Sequence, residues 1–223
     1  MRFSYADSIH EDFPELVTGV LFLEGITASG NVGESTAKFY ELARDRLRSG
    51  TEGTLPEVQA WRRVFTRMDL KPTQYRCASE ALLRRFRKDD ALTSIHPLVD
   101  VCNAISIAFA IPIAVFDLKQ VSGDLEVRRA NGDEIFATFG GEVEHPEAGE
   151  VIFADSSERA HARRWTNRQS GYSAVRNETA SVLIVSEAMH DTGVEDIARL
   201  TAAIRAAVMQ TWPSATTVEW SSR

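Results

Sequence analysis

Residues 96–117 constrain the fold of this chain more than any other stretch, because they are apolar enough to be buried along nearly their whole length. Pro97 suits the first position of a helix, where a missing N–H leaves no hydrogen bond unmade. Apolar residues then recur at helical spacing, at Leu98, Val101, Cys102, Ile105 and Phe109. Pro112 cannot continue that helix and pushes the preceding residue toward extended geometry. The stretch therefore predicts a buried helix that leads into a short core strand at 113–116, closed by Asp117.

Two polar residues interrupt the predicted helix. Asp100 and Asn103 are three positions apart, so they lie on the same stripe of its surface. A buried carboxylate or amide needs hydrogen-bond partners, because leaving it unpaired is costly. Two interpretations remain open at this point. Both side chains are structural caps, or they line a ligand pocket where the helix meets the strand.

The composition is that of an ordinary globular protein, with 43% apolar and 26% charged residues. The N-terminus lacks the apolar run of a secretory signal. The longest apolar segment, 104–116, is shorter than the roughly 18–20 residues that a membrane span needs. Cys77 and Cys102 fit no metal or redox spacing. We therefore expect a cytoplasmic protein with two buried thiols, no membrane contact, and neither metal nor cofactor.

Basic residues concentrate in two segments although the whole chain has a net charge of −7. Residues 56–90 hold nine basic and five acidic residues, and residues 158–176 hold five arginines and one acid. Local basic surface on an acidic body favours docking of an anion. Arg84 and Arg85 are the candidate phosphate contacts of the first segment. The alternative is that these residues form solvated helix faces.

The second basic segment contains an unusual run at 162–170. Arg163 and Arg164 offer planar forks that bind phosphate or carboxylate through two hydrogen bonds. Trp165 offers a face on which a base can stack, and Asn167 adds an amide. The run is therefore a candidate binding segment. The alternative is an amphipathic strand with its indole in the core and its arginines in solvent.

The order of predicted elements favours an α+β fold, with an antiparallel or mixed sheet core flanked by helices. Helices dominate the first half and short strands the second, without a βαβ rhythm. An Asn131-Gly132 pair predicts a hairpin. The predicted helices cover 35–49 with Ser35 as cap, 56–68, a third opened by Ser79, and 192–210. The predicted strands include 16–26, 151–154, 163–166, 181–186 and an edge strand at 216–220.

Common catalytic signatures are absent from the sequence: it has no phosphate-binding loop, nucleophile elbow, dinucleotide fingerprint or histidine-rich metal spacing. His96, His145 and His161 are isolated, and each is interpreted as a surface or capping residue rather than a general base.

Several motifs resemble a known family. His-Pro-Leu-Val-Asp-Val-Cys-Asn at 96–103 and Ile-Pro-Ile-Ala-Val-Phe-Asp at 111–117 resemble a segment of the phenylalanyl-tRNA synthetase β subunit. The segments at 123–134, 149–155 and 175–179 resemble the same region in the same order. That region is the B3/B4 domain, which in the synthetase hydrolyses tRNA charged with the wrong amino acid. The segments 60–62, 79–85 and 163–165 further resemble free-standing proteins built on this domain alone.

The resemblance implies a single domain over 1–223, with a B3/B4-like core at 56–190 on which residues 1–55 and 191–223 pack. It implies tRNA, or the 3′ end of aminoacyl-tRNA, as the partner. We expect no aminoacylation, since 223 residues leave no room for the catalytic core of a synthetase. The candidate binding residues are Arg84, Arg85, His96, Asp100, Asn103, Phe116, Arg163, Arg164, Trp165, Asn167 and Thr179.

Two positions depart from the pattern of the β subunit. Ala114 stands where its strand has histidine, and Tyr172 or a neighbour stands where it has a pocket glutamate. The leading hypothesis is hydrolysis of mischarged tRNA in trans, supported electrostatically by Asn103, Arg164 and Asn167 and without an ionisation near pH 6–7. Two alternatives stay open: a pocket that binds a free amino acid without catalysis, and an interaction module.

Overall fold

The computed structural model describes residues 1–220, which form six α-helices and eleven strands. The helices are α1 (Asp7–Asp12), α2 (Gly33–Leu47), α3 (Pro56–Arg67), α4 (Ala78–Asp89), α5 (Pro97–Phe109) and α6 (Gly193–Thr211). The strands are β1 (Phe3–Tyr5), β2 (Val17–Glu24), β3 (Ile113–Asp117), β4 (Leu125–Arg129), β5 (Phe136–Ala137), β6 (Val143–Glu144), β7 (Val151–Asp155), β8 (Ala160–Arg163), β9 (Arg168–Gln169), β10 (Ser181–Ala188) and β11 (Thr216–Trp220). The predicted α+β class is confirmed.

A four-stranded antiparallel sheet, ordered β11-β2-β10-β3, forms the middle layer of the molecule. Side chains alternate along β10 because successive residues of a strand point to opposite faces. Val182 and Ile184 pack with helices α2, α5 and α6, whereas Leu183 and Val185 pack toward the second sheet. Glu187 shares the parity of Leu183 and Val185, so it faces the space between the sheets.

The predicted helix–strand unit is confirmed in α5 and β3. His96 caps α5 by accepting the N–H of Leu98, and Pro97 occupies the first helical turn. Ala110 ends the helix in the left-handed region, with φ of 58°. Pro112 follows, and β3 then pairs with β10. The local signals of the sequence therefore fix the element that passes from the helical layer into the central sheet.

A five-stranded sheet, ordered β1-β4-β7-β8-β9, packs against the other face of the central sheet. Helix α3 contributes Trp61 and Phe65 to this second core. Strands β8 and β9 form a hairpin whose loop spans residues 164–167. The predicted strand at 163–166 is therefore wrong. Arg164 and Trp165 both have positive φ, which reverses the chain and sends their side chains to different surroundings.

Three further expectations from local signals are wrong. Asn131-Gly132 does not join paired strands, because the carboxylate of Glu134 accepts both of their N–H groups and holds them in a loop. The hairpin lies instead between β5 and β6. Ser35 lies inside α2 and does not cap it. Ser79 also lies within its helix, α4, where its buried hydroxyl donates to the carbonyl of Ala110.

No helix among residues 1–220 is long and apolar enough to cross a membrane. Elements on both sides of the segment 56–190 contribute to the central sheet and its helical layer, since β2 and β11 are strands of that sheet and α6 packs on it. The division of the chain at residues 56 and 190 stays a prediction.

Candidate functional site

A cavity of about 50 Å³ lies between the two sheets, beside the start of α4. Strand β3 contributes Ala114, strand β10 contributes Glu187, and the loop between β8 and β9 contributes Thr166 and Asn167. The remaining lining residues are Ala78, Pro112, Ile113, Phe153, Ala162, Trp165, Arg168 and Gln169. The position at which the chain departs from the synthetase pattern, Ala114, is thus part of a cavity wall.

Glu187 is an acidic residue in the wall of this cavity, and it is buried, with only 2% of its surface exposed. Its Oε1 accepts a 2.7 Å hydrogen bond from the hydroxyl of Tyr5 and another of 2.7 Å from Nε1 of Trp165. Burial raises the pKa of Glu187 to about 7, because it outweighs the two hydrogen bonds that favour the anion. A carboxyl group with that pKa exchanges its proton readily at neutral pH.

Two polar atoms of the cavity lining have no hydrogen-bond partner among the described residues. One is Oε2 of Glu187, since both donors to this side chain bind Oε1. The other is the buried hydroxyl oxygen of Thr166. Buried polar groups are usually paired with protein or with water. Oε2 of Glu187 is therefore available to a water molecule or a polar group of a ligand, whereas the Thr166 oxygen is closed off from solvent.

The three residues expected to share one pocket do not converge. Asn167 lines the cavity, where its amide nitrogen donates to the carbonyl of Arg76. Arg164 lies in a separate, larger cleft, 3.1 Å from the carboxylate of Glu150 and 4.8 Å from the ring centroid of Tyr75. Asn103 belongs to α5, which packs on the opposite face of the central sheet. Of these three residues, only Asn167 lines the same cavity as Glu187 and can contact a ligand there.

The arginines of the run 162–170 are bound to glutamates. Arg163 is 4% exposed and pairs with Glu144 at 2.7 Å and Glu150 at 2.9 Å. Arg168 also binds Glu144, and this hydrogen bond lowers the pKa of that carboxyl group. Because their donors already bind carboxylates, these guanidinium groups stabilise the fold and are not free to bind phosphate.

Trp165 is fully buried, in agreement with the structural interpretation of the run. Its ring makes edge contacts with Trp61, at a centroid distance of 5.3 Å, and with Phe13, at 4.9 Å. The indole therefore has no free face on which a base could stack.

Four other candidate binding residues have structural roles. His96 accepts the N–H of Leu98 at Nδ1, and burial lowers its pKa. Asp100 accepts hydrogen bonds from the Ser94 hydroxyl and the Ile95 N–H, so it caps the loop before α5. Phe116 is a core residue, and Thr179 donates a 2.8 Å hydrogen bond to the buried carboxylate of Asp117.

Arg84 and Arg85 are exposed on α4 and make no ion pair within residues 1–220. Helix α4 begins with Ala78 in the cavity wall, so Arg84 lies roughly 9 Å further along the helix axis. Neighbouring basic residues differ, because Arg62 binds Glu80 and Arg87 binds Glu52. In the first basic segment, Arg84 and Arg85 are thus cations without an ion-pair partner among residues 1–220, on the helix that begins at the cavity.

One group of side chains has the composition of a metal site. Ligand atoms of Glu57, His190 and Asp196 lie within 4.8 Å of one another, and all three residues are buried. Arg46 donates to both oxygens of Glu57 at 2.7 Å, and Asp196 accepts hydrogen bonds from His190 and Thr192. These partners satisfy both carboxylates, so an ion-pair network explains the group.

The sequence interpretation missed Glu187. The predicted strand ended at 186, one residue before it. A single signal was available: Leu183, Val185 and Glu187 share one face of a strand, which places an acid at an inward-pointing position.

Residues 60–208 match the sequence model of the B3/4 domain family, and this range includes most of the cavity-lining elements. The chain belongs to the B3/4 domain family. Its curated relatives include the phenylalanine–tRNA ligase β subunits of Shewanella oneidensis, 30% identical over 116 residues, and of Pseudoalteromonas translucida, 33% identical over 107 residues. These alignments cover 52% and 48% of this chain. The chain spans about a seventh of the length of these relatives, 14% and 13%.

The fold of this B3/4 protein is similar to a crystal structure of an N-terminal fragment of the phenylalanyl-tRNA synthetase β subunit from Pyrococcus horikoshii. The TM-score is 0.53 with 10% sequence identity, over 99% of this chain and 54% of that one. At this identity the similarity concerns the fold alone.

Proposed function

We propose that this B3/4 protein hydrolyses mischarged aminoacyl-tRNA in trans, in the cavity beside Glu187. One observation carries the proposal: a buried carboxyl group with a pKa of about 7 lines a cavity that also contains Ala114. The resemblance to the editing domain of the synthetase β subunit supplies the reaction class. Glu187 supplies an ionisable group, whereas the strand position that carries histidine in the β subunit is alanine here.

The chemistry needs one water molecule and one base. The Glu187 carboxylate takes a proton from the water as the water oxygen attacks the ester carbonyl carbon. The bond between that carbon and the ribose oxygen then breaks, and the ribose oxygen receives the proton. The products are a free amino acid and deacylated tRNA. A donor to the developing oxyanion contributes about 2.7–4 kcal/mol in other hydrolases, and Asn167, which lines the cavity, is our candidate for this role.

The exposed arginines of α4 suit the RNA part of the substrate. Proteins position nucleic acids mainly through contacts with phosphate oxygens. Arg84 and Arg85 are uncommitted cations on a helix that starts at the cavity. A tRNA acceptor stem lying along α4 would bring its 3′ end to Glu187.

Deacylation measured from pH 5.5 to 8.5 on mischarged tRNAs tests the proposal. The rate should rise through an apparent pKa near 7 and fall by at least about 100-fold in Glu187→Gln, since general base catalysis contributes roughly 10²–10⁴. Glu178→Gln, at an exposed glutamate, is the matched control. This pH dependence is the opposite of the expectation from the sequence, which was a deacylation rate without an ionisation near pH 6–7. A rate that is independent of pH and unchanged in Glu187→Gln would contradict the proposed mechanism.

A second function, binding of a free amino acid without catalysis, is favoured by the same carboxyl group. Oε2 of Glu187 has no partner among the described residues and can accept a hydrogen bond from an α-ammonium group. Calorimetric titration with free amino acids distinguishes the two functions. Binding of a free amino acid together with no deacylation of any charged tRNA would favour this second function.

A further inference from the structure

The size of the cavity limits the amino acid that it can receive. Its volume is about 50 Å³. An engineered protein cavity that binds benzene has a volume of about 150 Å³. A phenyl or phenol side chain is therefore too large, whereas a hydrogen atom, a methyl group or a hydroxymethyl group fits.

The inner walls of the cavity cannot retreat to make room for a larger side chain. Trp165 and Phe153 are buried and belong to the same packed core. Ala114 is held in register opposite Val185 by the pairing of β3 with β10. Protein cores are packed as densely as organic crystals, so enlarging the cavity requires moving both sheets. The two sheets thus set the size limit on the inner side of the cavity, and the partly exposed residues Ile113, Arg168 and Gln169 form its outer side.

The carboxyl group of the lining suits a small amino acid. Glu187 Oε2 has no hydrogen-bond partner among residues 1–220, and a large apolar side chain would bury it without one. A buried carboxyl oxygen without a partner is costly. A small side chain leaves room for water, or brings a hydroxyl group, beside this oxygen.

We infer that the cavity admits only glycine, alanine or serine, so that the tRNAs hydrolysed by this protein are those mischarged with a small amino acid. This inference rests on the proposed hydrolytic function and adds to it the class of amino acid.

The test uses one tRNA charged in turn with glycine, alanine, serine, leucine, phenylalanine and tyrosine, and measures kcat/KM for deacylation. We expect values at least about 100-fold higher for the three small amino acids, because each methylene group that a pocket excludes is worth about 10–200-fold. Comparable rates for phenylalanine or tyrosine would overturn the size limit and leave the hydrolytic function intact. Absence of deacylation for all six would instead refute the hydrolytic function, and the inference with it.

A substitution that fills the cavity provides the second measurement. Ala114→Leu should abolish deacylation of alanyl- and seryl-tRNA, and Ala114→Val should reduce it, with the tRNA affinity unchanged. Ala37→Leu, which adds the same side chain at an exposed position of α2, should behave as wild type. Circular dichroism shows whether each variant is folded, and Ala114→Val serves if Ala114→Leu is not. Full activity of a folded Ala114→Leu protein would place the amino acid elsewhere and overturn the inference.

Discussion

Nε1 of Trp165 donates a 2.7 Å hydrogen bond to Oε1 of Glu187, and the two residues are 0% and 2% exposed. The hydrogen bond joins the loop of the β8–β9 hairpin to the C-terminal end of strand β10 in the central sheet. It fixes one oxygen of the carboxyl group and leaves Oε2 without a partner among the described residues. The tryptophan therefore orients an ionisable group inside the cavity.

Glu187 should make the stability of the protein depend on pH. Its pKa is about 7 when folded and near 4.5 when unfolded, so between these values the folded protein holds a proton that the unfolded chain releases. The free energy of unfolding therefore falls as pH rises through this window, by up to about 1.4 kcal/mol per pH unit. Glu187→Gln removes this titration. We expect the variant to gain stability relative to wild type between pH 5 and pH 8, as measured by urea denaturation. Glu178→Gln should follow wild type, and parallel curves for Glu187→Gln would argue against the raised pKa.

Replacing Arg84 and Arg85 by alanine should weaken binding of tRNA. Each phosphate contact contributes about 0.7–0.9 to the slope of log K against log salt, so the slope should shrink by about 1.4–1.8 in magnitude. Fluorescence anisotropy with labelled tRNA at several salt concentrations measures it. Lys38→Ala with Arg48→Ala removes the same charge from α2 and from the residue that follows it, and α2 packs on the other face of the central sheet. An equal effect of this control pair would indicate that only net charge matters.

Leu98→Ala should destabilise the protein by about 2–5 kcal/mol. The side chain is fully buried in the core shared by α5 and the central sheet, and its truncation leaves a cavity. Thermal or urea unfolding measures the loss. A change below about 1 kcal/mol would show that this core can collapse around the missing atoms.

Asn103→Ala should change the free energy of unfolding by no more than about 0.5 kcal/mol, as at a surface site without special interactions. The residue is partly exposed and makes no hydrogen bond with the side chains or loops of residues 1–220. Deacylation should also be unchanged, since α5 lies across the sheet from Glu187. Loss of activity in a folded Asn103→Ala protein would restore this amide as a ligand-binding residue.

Arg163→Ala should cost about 1.5–3 kcal/mol, because it removes a buried guanidinium that binds Glu150 and Glu144, while Arg164 and Arg168 still pair with these two carboxylates. Arg168→Ala is the matched control, since Arg168 binds Glu144 but its side chain is 41% exposed. We expect the control to cost less than about 1 kcal/mol. Equal, small losses of stability would mean that the arginine network does not support the fold and would return Arg163 to the candidate RNA contacts.

The sequence by itself determined the unit formed by α5 and β3 and the α+β class. Pro97, Pro112 and the spacing of apolar residues act within a few positions along the chain, so their effect does not wait on distant partners. The edge strand at 216–220 and the helix that follows Thr192 were predictable for the same reason. Where a local signal failed, at Asn131-Gly132, a side chain three residues away captured the backbone N–H groups.

The tertiary structure alone decided the composition of the site. The sequence shows that arginines, an indole and amides are close together, but a guanidinium group binds whichever anion the fold brings to it. For Arg163 those anions are Glu144 and Glu150. Tyr5 and Glu187 are 182 positions apart, and only the stacking of two sheets brings them together. That burial raises the pKa of Glu187, because a carboxylate loses its hydration when the sheets close over it, and hydration is not encoded at any single position of the chain.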